Sequence, residues 1–362
     1  MKTRKNDIEE FHKTSNFIIV MPTLNEEEGL SWILPKIKQS IDVILVDDGS
    51  TDATLRIASG FSNVRIIKRS GKRGLVSAEL YGMTIAIRKN VEYIVTMDAD
   101  GQHDPTFIDE MVNFARREHA DLVIGSRYSK GGDARGFSFL RRLSSFGANL
   151  LYRLVFGWKV LDSTSGFRVY SRRAVEFLSQ ANLNYEGYVG QVEIVKKLLE
   201  KKFIVKEYPI TFKARRGGKS KLSPKVYLET LNFMLFESDF LKYIIVGIGG
   251  LLVNEGVLAI SLPFLGKIFS ETLAIEVSII TNFMLNDKWT FKNRKLKHRG
   301  TTLKRFISYN VASLVGGVVN FTTYSLLTFL FYVNPLIANF VGILIAFTFN
   351  FSVSSSIIWH SE

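Results

Sequence analysis

Through its first two thirds the chain alternates short apolar runs with segments of helical spacing. Residues 17–21 (FIIVM), 43–46 (VILV), 64–67, 93–97 (YIVTM) and 122–124 read as strands. Their near-continuous apolar character predicts burial on both faces. Residues 29–39, 53–59, 74–89 and 106–116 carry the helical pattern between them. This alternation predicts an α/β fold, a mostly parallel sheet with helices on both faces, whose ligands bind beyond the carboxyl ends of the strands. Two further stretches, 137–156 and 226–240, set apolar residues at helical spacing, the first with arginine on one side, and predict amphipathic helices at a membrane interface.

The final third changes character. Apolar stretches at 241–264, 273–291, 306–331 and 336–358 each approach the ~20 residues a helix needs to cross a bilayer. Pro263 and Pro335 stand at their ends, residues 266–271 and 332–334 form short joints, and two hairpins result. Between the hairpins lie Lys288, Lys292, Arg294, Lys295, Lys297, Arg299, Lys304 and Arg305. By the positive-inside rule this loop is cytoplasmic, and both termini share its side. Residues 1–16 mix acidic and basic side chains, lack the apolar core of a signal peptide, and read as a tail. The expected organisation is a tail (1–16), a catalytic domain (17–225), an interface helix (226–240) and a four-helix transmembrane domain (241–362). The protein is then a multi-pass cell-membrane protein with a cytoplasmic catalytic domain, and the membrane domain is where a homo-oligomer would form.

Charge sharpens the division. Of 47 Lys+Arg and 34 Asp+Glu in 362 residues, only 10 and 5 fall in 241–362. With no cysteine, a thiol nucleophile, a Cys-ligated zinc site and a disulfide scaffold are excluded, and five scattered histidines argue against a His-rich metal centre. The basic loop suits anionic lipid headgroups. No nucleic-acid recognition fold accompanies it, so nucleic acid is not expected as a partner.

Three strand ends carry polar signatures: Pro22-Thr23-Leu24-Asn25-Glu26, Asp47-Asp48-Gly49-Ser50 and Asp98-Ala99-Asp100-Gly101-Gln102. One sheet edge therefore gathers five carboxylates and an amide. A Walker loop is excluded, because the glycine needed five residues before Gly218 is Lys213, and no GxGxxG follows the first strand. Asp98 and Asp100 instead offer hard oxygens at alternate positions, with the Gln102 amide beside them. That set suits Mg²⁺ or Mn²⁺ bridging a diphosphate, where the ion offsets charge on a departing nucleoside diphosphate.

The segments PTLNEEEGL (22–30), DDGSTD (47–52), the basic turn at 71–74 and MDADGQHDP (97–105) resemble the inverting family-2 glycosyltransferases of GT-A fold. GSRY (125–128), residues 141–145 with GANLLYRL (147–154), DSTSGFRVY (162–170) and FKARRGGKSKL (212–222) are similar to the dolichyl-phosphate mannose synthases. RFISYN (305–310) and NFMLNDKWTF (282–291) resemble the small four-span domain of polyprenol-linked glucosylation systems. The resemblance implies transfer of mannose from GDP-mannose to dolichyl phosphate at a lipid bilayer. It implies nucleotide-sugar contacts from Pro22, Leu24, Glu26, Val46, Asp48, Asp98, Ala99, Asp100, Gln102, Arg127, Arg215 and Lys221. It implies Mg²⁺ or Mn²⁺ at Asp98, Asp100 and Gln102, and catalytic roles for Asp100, Arg127, Arg141 and Ser145. The turn holding Asp162, Ser163 and Ser165 is implied to support the sugar pocket, and tyrosine often stands in the family where this chain has Leu24.

A phosphomonoester acceptor is already anionic near pH 7, its second pKa being about 6, so no obligatory base is expected. Repulsion between two anionic substrates is met instead by Arg127, Arg141, Arg142, Arg215, Arg216 and Lys221. His103 reads as a structural histidine, and Glu193 as a residue reaching sugar hydroxyls. Two alternatives stand beside this reading: a UDP-glucose-dependent glucosyltransferase, and a lipid-linked sugar flippase using Glu255, Glu276 and Asp287 within the membrane. A processive polysaccharide synthase is discounted, since no QxxRW is present.

Overall fold

In a computed structural model, which describes residues 16–70, 74–213, 224–295 and 301–359, seven strands form one sheet. They are β1 (Phe17–Thr23), β2 (Val43–Asp47), β3 (Val64–Lys68), β4 (Tyr93–Thr96), β5 (Leu122–Ser126), β6 (Arg168–Ser171) and β7 (Val205–Pro209). The order is β3-β2-β1-β4-β6-β5-β7, and only β6 runs antiparallel to its neighbours. The chain divides into two compact units, residues 1–231 and 232–362. Residues 1–15, the turn at 71–73, the segment with Arg215, Arg216 and Lys221, and loop residues 296–300 lie outside the described residues.

The sheet alternates with period two. Ile18, Val20, Ile44, Val46 and Ile94 enter one core layer, and Ile19, Met21, Val43, Leu45 and Val95 enter the other. Helices α1 (Glu27–Ile33), α2 (Thr54–Ala58) and α4 (Ile108–Arg117) cover the second layer; α3 (Leu75–Ala86), α6 (Arg172–Gln180) and α7 (Gly187–Glu200) cover the first. Both faces are dry over β1, β2 and β4, so those strands are near-continuously apolar. The first helix is shorter than its pattern because Pro35 has no N–H to give, and the chain tightens into a 3₁₀ turn at Leu34–Lys36.

Three strands depart from the apolar pattern, among them β3 (VRIIK) at one sheet edge. β6 is four residues long and carries the fully buried Arg168. β7 (VKEYP) lies at the sheet edge, where charges and proline are tolerated.

Helix α5 (Phe139–Phe156) starts on the Ser138 side chain and closes at Gly157, φ 69°. Asn149 and Tyr152 face inward, while Phe139, Leu140, Leu143 and Leu154 remain 58–79% exposed. Helix α8 (Pro224–Glu237) is tied to it by a 3.1 Å bond between the Tyr152 hydroxyl and Thr230 Oγ1. Burial pushes the Tyr152 phenol up to about 12.

The second unit holds α9 (Asp239–Leu285), α10 (Lys292–Lys295), α11 (Thr302–Ser325) and α12 (Pro335–Val353). Three apolar helical stretches are long enough to cross a membrane. The first is broken at Gly266, φ 70°. Ser278 Oγ donates to the Gly250 carbonyl at 2.8 Å, although 28 residues of continuous helix would hold them roughly 40 Å apart. The segment therefore folds back on itself. The joint expected at 266–271 narrows to this one glycine, and Pro263 lies three residues before the break, in the last turn of the first half. Small residues let the helices close: Gly250 lies against Asn282, Gly316 against Asn350 and Gly342 against Asn320. Asp287 Oδ1 accepts from Arg305 Nε (2.9 Å) and Trp359 Nε1 (3.1 Å), all three buried. Glu255 and Glu276 lie on the exposed surface of the helices.

Candidate active site

The carboxyl ends of β1, β2 and β4 open into a cavity of about 370 Å³. The loops after β1 and β2 are laced together beneath it. Asn25 N donates to Ser50 Oγ (3.0 Å), Asn25 Oδ1 accepts from Thr51 N (2.8 Å), and Glu26 N donates to Thr54 Oγ1 (2.9 Å). Pro22, Leu24, Glu26, Asp48, Asp98, Ala99, Asp100, Gln102 and Arg141 all line the cavity.

The acidic edge is smaller than the sequence suggests. Asp47 turns into its own loop, accepting from the backbone N–H of Gly49 and Ser50 and from the Ser50 hydroxyl. Asp48 stays on the wall and is gripped by buried Arg69, Nε to Oδ1 at 2.6 Å and Nη2 to Oδ2 at 2.7 Å. Val46 is buried in the core layer and is not among the residues that line the cavity.

Asp100 Oδ1 accepts from Gln102 N at 3.0 Å, and Gln102 Nε2 donates to the Lys213 carbonyl at 3.1 Å. The amide nitrogen is thereby committed, leaving the oxygen as the coordinating end. Among the described residues no cluster of three His, Cys, Asp or Glu side chains converges on a cation position. Two carboxylates and one amide oxygen in a diphosphate-sized cleft nevertheless fit Mg²⁺ or Mn²⁺, since such ions complete their shells with substrate phosphate and water. His103 Nδ1 accepts from Asp98 N at 3.0 Å, and its ring stacks on Phe167 at 5.0 Å. Burial pushes its pKa down to about 4, so it braces the motif as a neutral ring.

Arg127 does not line the cavity. Its Nε and Nη2 bind the buried Asp162 carboxylate at 2.7 and 2.6 Å, and Nη2 also reaches Thr164 Oγ1 at 2.8 Å. Ser145 is half-buried on α5, its carbonyl accepting from Asn149 Nδ2 at 3.0 Å. Arg141 does line the cavity, with its guanidinium 4.1 Å from the Phe137 ring centre. Arg142 is exposed. Glu193 does not line the cavity: it is 2% exposed and caps the backbone of Asn184 and Tyr185.

Sequence reasoning missed Tyr188 and Glu186, which line the cavity from the start of α7, and the packing behind it. Arg168 donates to the carbonyls of Ser163, Ser165 and Gln191 and thereby fixes the Asp162–Ser165 turn. Glu79 is fully buried and accepts from Gln191 Nε2 at 2.6 Å. Burial, then the Asp98 charge, push its pKa up to about 8. Glu79 Oε1 and Gln191 Oε1 have no hydrogen-bond partner among the described residues, which a proton on Glu79 would mend. An unfolded chain releases that proton near pH 4.5 and the fold retains it to about 8, so folded-state stability falls as pH rises through that window. Glu79→Gln copies the protonated group. Its melting temperature should exceed that of the parent protein by a margin that widens from pH 5 to pH 8; a constant margin would mean Glu79 is ionised inside the fold.

Residues 18–178 match Glycosyl transferase family 2, and residues 242–359 match the GtrA/DPMS transmembrane domain. The chain is 34% identical over 359 residues to the dolichol-phosphate mannosyltransferase of Pyrococcus furiosus, covering 94% of this chain and 98% of that protein. It is 34% identical over 218 residues to the polyprenol monophosphomannose synthase of Mycolicibacterium smegmatis, covering 58% and 82%. Among solved structures, glucosyl-3-phosphoglycerate synthase of Mycobacterium tuberculosis, in complex with Mn²⁺ and UDP-glucose, aligns with TM-score 0.44 at 18% identity over 61% of this chain and 78% of that one.

Proposed function

This chain belongs to the dolichol-phosphate mannosyltransferase family, and from that premise we propose that it transfers mannose from GDP-mannose to dolichyl or a related polyprenyl phosphate with inversion. One observation carries the reading: a single cavity takes in the nucleoside-side residues Pro22, Leu24, Glu26 and Asp48, the oxygens of Asp98, Asp100 and Gln102, and Arg141. Residues 17–225 are the catalytic domain, 226–240 an interface helix and 241–362 a four-span anchor of two hairpins. The catalytic domain and both termini lie on the cytoplasmic side, and the anchor is the surface for any homo-oligomer.

Pro22, Leu24 and Glu26 hold the nucleoside, with Asp48 kept in place by Arg69. Asp98, Asp100 and Gln102 hold Mg²⁺ or Mn²⁺, which when bound neutralises charge on the diphosphate. Arg141 steadies the acceptor phosphate. One phosphate oxygen bonds to the anomeric carbon as that carbon's bond to the GDP oxygen breaks, and the electron pair leaves with GDP. No proton need move, because the acceptor is ionised already. Catalysis is orientation and charge placement. Arg127 acts at one remove, as a positioning residue for the Asp162 turn.

The test is label transfer by the purified protein with Mn²⁺ and dolichyl phosphate. Radiolabel should enter the organic phase from GDP-mannose. Label from UDP-glucose alone would move the protein to glucosyl transfer, and no label from either donor would overturn the enzyme reading. The apolar face of α5 carries its own expectation. Burying one Leu or Phe side chain contributes about 1.5–3 kcal/mol. Replacing Phe139, Leu143 and Leu154 with Ser should therefore raise KM for dolichyl phosphate in vesicles at least about tenfold, leaving KM for GDP-mannose unchanged.

A further inference from the structure

The two hairpins of the second unit, α9 folded at Gly266 and α11 with α12, repeat one another. In the opening helices Phe306, Tyr309, Gly316 and Asn320 each stand 66 residues after Phe240, Tyr243, Gly250 and Asn254. In the closing helices Asn350, Phe351 and Trp359 stand 68 residues after Asn282, Phe283 and Phe291. Each closing helix ends in one wider π turn, Asn286–Thr290 and Ser354–Ile358. Within each hairpin the matching glycine lies against the matching asparagine, Gly250 on Asn282 and Gly316 on Asn350. Between the hairpins, ring contacts recur with the partners exchanged. Tyr243 meets Phe351 at 5.4 Å, and Tyr309 meets Phe283 at 5.9 Å. Phe240 meets Phe351 and Phe306 meets Phe283, both at 5.1 Å. The equivalent residues Phe291 and Trp359 stack on each other at 4.7 Å, and Tyr243 and Tyr309 hydrogen-bond each other. Exchanged partners around self-paired equivalents define a two-fold interface.

The symmetry breaks where the buried charges are. Asp287 Oδ1 accepts from Arg305 Nε at 2.9 Å and from Trp359 Nε1 at 3.1 Å. The equivalents of Asp287, Arg305 and Trp359 are Ser355, Asp239 and Phe291. Arg294 bridges that second place instead, pairing with Asp239 at 2.9 Å and donating to the Ser355 carbonyl at 2.8 Å. Two copies of the first hairpin would set Asp287 against Asp239, carboxylate against carboxylate. Two copies of the second would set buried Arg305 against Ser355, which offers no charge. Only the first hairpin against the second satisfies these groups, and a buried charge stripped of its partner is heavily penalised. We propose that the second unit is a tandem duplicate of one self-pairing hairpin, and that Asp287 and Arg305 form the specificity-determining pair that makes the first hairpin take the second as its partner. The two are joined by residues 292–301 only, and a tether that short gives the partner within the chain an effective concentration of about millimolar, against which a second copy competes poorly. The pairing surface is then occupied inside one chain, and a homo-oligomer uses other faces. The proposal is independent of the sugar and the donor.

The chain has no cysteine, so thiol pairs can be placed without background. Full-length protein in detergent, an equal mixture of normal and heavy-nitrogen chains, is treated with a short bis-maleimide, and the linked peptides are read by mass spectrometry. One variant carries Phe240→Cys with Phe351→Cys; its two-fold mate carries Phe306→Cys with Phe283→Cys. Both should link, with yields within about twofold of each other, in peptides of a single isotope. Linking in one variant alone, or in neither, overturns the two-fold repeat. Peptides of mixed isotope overturn pairing within the chain. Arg305→Asp gives the second hairpin the residue of the first, and should lower linking in both variants by at least about tenfold. Adding Asp287→Arg should restore most of it, because the charges again match. Undiminished linking in Arg305→Asp, or no recovery in the charge-swapped variant, overturns the role of the pair.

Discussion

Asp100→Asn is expected to lower mannosyl transfer by about 10²–10³-fold, the scale of losing one preorganised electrostatic element at a transition state, with the melting temperature nearly unchanged. Asn retains an oxygen to accept from Gln102 N, the bond that shapes this turn at 3.0 Å. What it loses is the charge. Asp98 is braced by His103 and should behave alike when changed to Asn. The double variant should be no worse than about the stronger single one, because groups that act as a unit do not add. A Mn²⁺ titration of the residual rate locates the cause: the half-saturating concentration should rise in both variants. Full activity in Asp100→Asn would remove the Asp98–Asp100 pair from the reaction.

The parts of the fold legible in the sequence are those in which local pattern and tertiary environment agree. β1, β2 and β4 are apolar at consecutive positions because helices cover both faces. β6 hides because its leading residue is Arg168, whose burial is tolerated through carbonyls 3, 5 and 23 residues away in sequence. The site divides along the same line. Asp98, Asp100 and Gln102 stand together in one strand-end motif. Glu186 meets Val76 across 110 residues, and Gln191 meets Glu79 across 112. No local spacing signals such pairs. Charge is also ambiguous in a sequence: Asp47 and Asp48 are neighbours, yet one ties a turn and the other, held by Arg69, faces the cavity.

Arg127→Ala should separate support from direct substrate contact. The guanidinium is 4% exposed and its partner Asp162 is fully buried. Burial works against the charge, and Asp162 more than compensates, so the Arg127 pKa is raised. Asp162 also accepts from Arg127 N at 2.9 Å, while Glu207 caps the N–H groups of Leu161 and Asp162 at 2.8 and 2.9 Å. The carboxylate therefore cannot swing out to water when its partner is removed. Breaking a buried pair from one side costs about 3–5 kcal/mol. In a unit of this size that lowers the melting temperature by roughly 10 °C. GDP affinity should stay within about twofold if the arginine only shapes the turn beside the cavity, since uncoupled sites change independently. A guanidinium that touched phosphate would give the reverse, a large loss of GDP affinity in a protein that melts normally. Arg127→Leu combined with Asp162→Leu should recover part of the lost stability, because the larger part of the single variant's penalty is the stranded charge rather than the missing attraction.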